Sequence, residues 1–185
     1  MSLPGNIEEE GEPMTFKSTL GGLGCVLILS LPALAQTKAA SNADKAFIKM
    51  AAEADMTEAH IGQMAENQSS QSEVKDFAQK LIHDHTDAYQ QLTAVAVKTG
   101  DPIPTGINVR KIAAVEQLMK LKGARFDHLF VQEEIRDHER AIAQFKREAA
   151  HGKDLEVKAY ASKMIPILED HLRLAHALVK PARHT

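Results

Sequence analysis

Residues 131–145 read VQEEIRDHERAIAQF, and the spacing of the apolar residues within them decides the class of fold. Counted from His138, apolar side chains fall at −7, −3, +4 and +7: Val131, Ile135, Ile142 and Phe145. That interval repeats along one face of an α-helix, so the imidazole interrupts a stripe that turns toward a core. The same register recurs around His85 with Ala78, Ile82, Tyr89 and Leu92, and around His171 with Met164, Leu168, Ala175 and Leu178. In each case an aspartate precedes the histidine: Asp84, Asp137 and Asp170. A fourth amphipathic segment has the inward stripe Phe47, Ala51, Ala54, Ile61 and Ala65, with Glu58 where an apolar residue is expected. The pattern predicts an all-α protein in which each long helix points one titratable group at a common axis.

Working outward, the punctuation separates the helices. The first is expected from about Ala43 to Asn67, ahead of the polar tract Gln68-Ser69-Ser70. The second runs from Ser72, read as its cap, to Gly100 at the C′ position. Residues 101–106, Asp-Pro-Ile-Pro-Thr-Gly, cannot be helical, and a shorter helix follows from Val109 to Lys122, closed by Gly123. The third long helix spans about Ala124 to His151, and the fourth reaches Lys180, before Pro181. Pro166 predicts a kink in the fourth helix one turn before His171, or a break into two shorter ones. Helices of this length, about 40 Å each, suit a four-helix bundle of ferritin-like type with an extra short helix in the connection between its second and third helices. Spacing alone leaves open whether that connection crosses the bundle or caps a simple up-down arrangement.

Composition supports the class: hydrophobic residues make up 44% but aromatic ones only 4%, with no Trp, so the core should be aliphatic and helical. The net charge of −3, dispersed among both signs, provides no basic stripe for a phosphate backbone, which excludes nucleic acid as the expected partner. Residues 14–35 carry Lys17, an apolar stretch from Leu20 to Leu31 and Ala33-Leu34-Ala35, the pattern of a cleaved export signal. Residues 1–13, with Glu8, Glu9, Glu10 and Glu12, fit that signal badly and read as a non-native extension; residues 36–42 read as a linker and 43–181 as the bundle. A periplasmic location follows. The single cysteine, Cys25, falls within the signal, so the exported part would have neither disulfide nor thiolate chemistry.

The chemistry therefore rests on carboxylates and imidazoles. Glu58, His85, His138 and His171 lie near mid-helix, so a bundle would bring them to one level as ligands for Zn²⁺, Cu²⁺ or Fe²⁺, with Glu134 as a fifth. Asp84, Asp137 and Asp170 sit about 100° around the helix from their own histidines, where each could hold an imidazole of a neighbouring helix. The competing reading is a metal-free layer of Asp–His hydrogen bonds that fixes register and titrates near pH ~6.5. Spacing does not distinguish the two, and storage, sensing, stress protection and interaction roles all stay open. Glu-x-x-His is absent, because Ile82, Ile135 and Leu168 occupy the −3 positions, which argues against a di-iron centre of the ferritin kind. No nucleophile triad or phosphate loop is present to assign a catalytic residue.

Taken in order, Asp44-x-x-Phe47 with Glu58, Val74-x-x-Phe77-Ala78 with Asp84-His85, Phe126-Asp127 with Asp137-His138, and Pro166-x-Leu168-x-x-His171 resemble the DUF4142 family. The resemblance extends from about Ala43 to Val179. It implies a ferritin-like fold and an envelope location, and it implies no reaction.

Overall fold

The computed structural model describes residues 40–107 and 109–179; the signal and extension read at 1–35 lie outside them, as do 36–39 of the linker. The described residues form five helices and no strand: α1 (Asn42–Gln68), α2 (Ser72–Thr99), α3 (Val109–Met119), α4 (Ala124–His151) and α5 (Leu155–Leu178). None of them is long and apolar enough to cross a membrane.

Their ends are set by local hydrogen bonding. Ser41 caps α1 in a reciprocal box: its hydroxyl accepts from the Asp44 amide at 3.3 Å, and the Asp44 carboxylate accepts from the Ser41 amide at 2.7 Å. The helix thus starts one residue earlier than the apolar stripe predicts. Ser72 is not the cap of α2. Gln71 holds that position without capping through its side chain, which donates instead to Asp127 on α4. Gly100, at φ 73°, closes α2 in the left-handed conformation. Gly123, at φ 58°, belongs to the start of α4 rather than to the end of the short helix, which stops at Met119. Asp154 caps α5 by accepting from the Glu156 and Val157 amides, and the helix ends at Leu178, short of the expected Lys180. Pro166 does not break α5; it and Ser162, whose carbonyl loses its helical partner, are both exposed, so water can supply what the ring removes.

α1 packs on α2 and α4 on α5, and the two pairs join through α2 on α5 and α1 on α4. End contacts give the directions. The Lys153 amide in the α4–α5 turn donates to Asp44 at the start of α1, at 2.8 Å. At the far end the Gly123 amide donates to the Gln68 carbonyl at 2.8 Å, and the Ser70 hydroxyl to Asp127 at 2.9 Å. Lys98 near the end of α2 pairs with Glu156 at the start of α5. Hence α2 and α4 begin at the same end and run parallel, and the connection from Gly100 to Gly123 starts at one end of the molecule and finishes at the other, with α3 resting on α1 and α4.

The core falls into two apolar clusters. One gathers Phe47, Ile48, Ala88, Leu92, Phe145, Tyr160 and Leu168. The other gathers Ile61, Phe77, Leu81, Val115, Leu118, Phe126 and Phe130. Along every long helix the switch between them is occupied by buried polar side chains: Asp55 and Glu58 on α1, His85 on α2, Glu134 and His138 on α4, and His171 on α5. Burying six such groups is costly unless they satisfy one another or a ligand.

Candidate metal centre

The three histidines expected at mid-height do meet. His85, His138 and His171 are each at most 4% exposed, and one ring nitrogen from each lies within 4.8 Å of the other two. Their ring centroids form a nearly equilateral triangle with sides of 5.8, 5.3 and 5.2 Å. The closest pair, Nε2 of His138 and Nδ1 of His171, is 3.2 Å apart. Nitrogens bound at ~2.05 Å to a tetrahedral ion are separated by roughly 3.3 Å, so this pair already has that edge length.

Outer partners decide what each inward nitrogen carries. Asp84 accepts from Nε2 of His171 at 2.9 Å across the α2–α5 interface. Burial works against its charge, but hydrogen bonds from Lys80, His83 and His171 hold the Asp84 carboxyl well below the usual range. An ionised Asp84 requires N–H at Nε2 of His171, which leaves Nδ1 bare when the ring is neutral. Nδ1 of His138 lies 2.9 Å from the Glu134 main-chain carbonyl, which can only accept, so its Nε2 is bare in the neutral ring. His85 and Asp55 share a hydrogen at 2.9 Å, and among the described residues Nε2 of His85 has no partner. Burial pushes Asp55 up while the Tyr160 hydroxyl, donating at 3.4 Å, opposes it. Burial also pulls His85 down to about 4, with the Glu58 charge opposing, and pulls His171 down to about 4, helped by nearby His85. At physiological pH these two rings are therefore neutral; the lone pair of His171 is on Nδ1, and that of His85 is on Nε2 when the hydrogen shared with Asp55 sits on Nδ1.

The carboxylates expected as ligands stand beside this triangle. Glu58 and Glu134 are buried and hydrogen-bonded to each other; Oε2 of Glu58 has no hydrogen-bond partner, and Oε2 of Glu134 lies 3.5 Å from Nδ1 of His138. Burial first, then the charge and hydrogen bond of Glu58, raise Glu134 well above the usual carboxylate range. Two of the three aspartates differ from expectation. Asp137 pairs with Lys111 on α3 and Arg140, and half-exposed Asp170 pairs with Arg173 and Lys80, so neither holds an imidazole. The same offset around the helix carries Asp84 toward α5, but it carries Asp137 toward α3 and Asp170 toward Lys80 at the surface of α2.

Asp55 is the site residue the stripe concealed. Ala54 was the expected inward position, whereas Ile48, Ala52 and Asp55 are buried and Ala54 is only half-buried. The usable signal was the spacing Asp55–Glu58, three residues apart and so on one helix face.

No curated protein matches the chain in sequence. A solved structure does: the DUF305 fragment from Deinococcus radiodurans superposes with a TM-score of 0.67 at 17% identity, over 76% of this chain and 97% of that one. At that identity the likeness is one of fold. Residues 29–178 match the family described as a domain of unknown function, DUF4142, and the chain belongs to that family.

Proposed function

We propose that this chain is an exported, ferritin-like four-helix-bundle protein that holds a divalent metal ion, Zn²⁺, Cu²⁺ or Fe²⁺, on His85, His138 and His171, in a storage, sensing or stress-protection role. The parallel placement of α2 and α4, joined by a connection that runs back along the molecule, supports the ferritin-like crossover. The signal pattern at 14–35 supports export.

One observation carries the metal reading: three buried ring nitrogens converge, and the outer partners of two of them leave bare lone pairs face to face at 3.2 Å. A metal-free layer needs a hydrogen between those two nitrogens, which makes one of the rings an imidazolium in a buried layer. The downward shift of His171 opposes that state. A divalent cation removes the conflict and uses the unpartnered Nε2 of His85 as well. Asp55, Asp84, Glu58 and Glu134 surround the triangle with carboxyl groups that can balance the charge.

The experiment is metal analysis of the purified protein together with its melting temperature with and without chelator. Bound ion in excess of its dissociation constant by a thousandfold stabilises by about 4 kcal/mol. Chelation should lower the melting temperature of the wild type, and His138→Ala, which also empties buried volume, should lower it more with metal present than in chelator. Equal melting with and without chelator, in a protein free of stoichiometric metal, overturns the reading.

A further inference from the structure

The inference here rests on the metal reading and extends it to the ion's remaining coordination position. A cavity of about 190 Å³ lies between α1 and α4, and His85 and His138 form part of its wall. His171 does not line it and is fully buried. The cavity therefore meets the triangle along its His85–His138 edge, where an ion held by the three rings would have room for a fourth, non-protein ligand. Met50, Ala54, Ala141 and Phe145 give the wall much of its carbon surface, Lys111 and Arg140 also line it, and Glu58 lines it beside the imidazoles. Glu58 is 6% exposed and its Oε2 atom has no hydrogen-bond partner, although its carboxyl is bonded to Glu134. The volume falls below the roughly 300 Å³ at which pockets for drug-sized molecules begin.

We propose that the ion's fourth position opens into the α1–α4 cavity and takes a small monodentate ligand, a water molecule or an anion the size of azide, beside the Glu58 carboxyl. Three histidines with an open position are the donor set of an exchangeable-ligand centre, whereas a structural ion is closed by four protein ligands. The size of the cavity excludes bulky anions, and Glu58, beside the imidazoles, can hydrogen-bond the bound ligand.

The test loads the chain with Co²⁺ and titrates azide while following the visible d–d bands. A saturable spectral change at one azide per cobalt is expected. Ala54→Leu, which fills the cavity from α1, should weaken azide roughly tenfold or more without changing the cobalt stoichiometry. Thr86→Leu, in the separate groove that reaches His85 between α1 and α2, should leave azide binding unchanged. Cobalt bound with a spectrum indifferent to azide, or azide weakened by Thr86→Leu rather than Ala54→Leu, overturns the open position and leaves the metal reading standing. Failure to bind cobalt, zinc or copper at all removes both.

Discussion

Nε2 of His138 and Nδ1 of His171 face one another at 3.2 Å, each turned into an acceptor by what the other side of its ring touches. For His171 that partner is Asp84, reaching across from α2 at 2.9 Å. A carboxylate behind a ligating imidazole fixes its tautomer and raises its basicity, and losing such a partner usually costs 10- to 100-fold in metal affinity (roughly). Asp84→Asn should therefore weaken metal by about that factor in a competition titration. Asp137→Asn is the matched control, because Asp137 stands at the same position before His138 but pairs with Lys111 and Arg140, neither of which touches Asp84. Equal affinities of the two variants would separate Asp84 from the centre.

The convergence of His85, His138 and His171 was legible because an imidazole in an apolar stripe at mid-helix has few places to go except a common layer. Which groups stand behind the rings was less so. The −1 aspartates share one angular offset, but the surface that offset meets depends on the neighbour: α5 for Asp84, α3 for Asp137 and the exposed edge of α2 for Asp170. Asp55 escaped because Ala54 fits an apolar stripe as well as Asp55 violates it, and helical phase over one turn is ambiguous by a residue. The parallel relation of α2 and α4 was beyond spacing. It is set by contacts between residues far apart in the chain, such as Lys153 with Asp44 and Ser70 with Asp127.

Glu148, in the last turn of α4, predicts a pH dependence. Burial first, and then the hydrogen bond and charge of Asp44, push its carboxyl up to about 7. The folded chain thus keeps a proton that the unfolded chain releases above the ordinary glutamate value of 4.5. The stability this contributes is fully present below pH 4.5 and is lost as pH rises through about 7. Glu148→Gln imitates the protonated acid, so its stability should fall less than the wild type's between pH 5 and 8. At about pH 8 the variant should be more stable by on the order of 1 kcal/mol after allowing for solvent screening. Urea midpoints at the two pH values provide the measurement, and parallel pH profiles would exclude the assignment.

Gly62 lets α1 and α2 approach closely just beyond the polar layer. A Cβ there would stand 2.8 Å from Cγ1 of Ile82 and 3.0 Å from the main-chain oxygen of Ala78. The Ile82 side chain can turn aside, but the carbonyl moves only with its helix. Alanine gains up to about 1 kcal/mol in helix propensity, while overpacking costs roughly 1–3 kcal/mol. Gly62→Ala should be destabilising by about 1 kcal/mol in denaturant unfolding and should also weaken metal, since α1 carries Asp55 to His85. A more stable variant would mean that the two helices part without strain.

Asp44 and Asp127 fasten opposite ends of the molecule in the same manner, each from the first turn of one helix to the turn of the other hairpin. Asp44 accepts from Ser41 and Lys153, and Asp127 from Ser70 and Gln71. Replacing either with alanine should cost about 1–2 kcal/mol, the range for a lost cap or a hydrogen bond to a charged group. Being at opposite ends with no shared partner, the two losses should add to within about 0.5 kcal/mol. Their pH behaviour should differ. At pH 5 Asp44→Ala removes a carboxylate that protonated Glu148 hydrogen-bonds, whereas at pH 8 it also relieves repulsion with an ionised Glu148. The cost of Asp44→Ala should therefore shrink as pH rises, while that of Asp127→Ala stays level, because hydrogen bonds from Ser69, Gln71 and Ser70 keep Asp127 ionised despite its burial. A cost of Asp44→Ala that is constant across this range would place the proton held by the folded chain on some group other than Glu148.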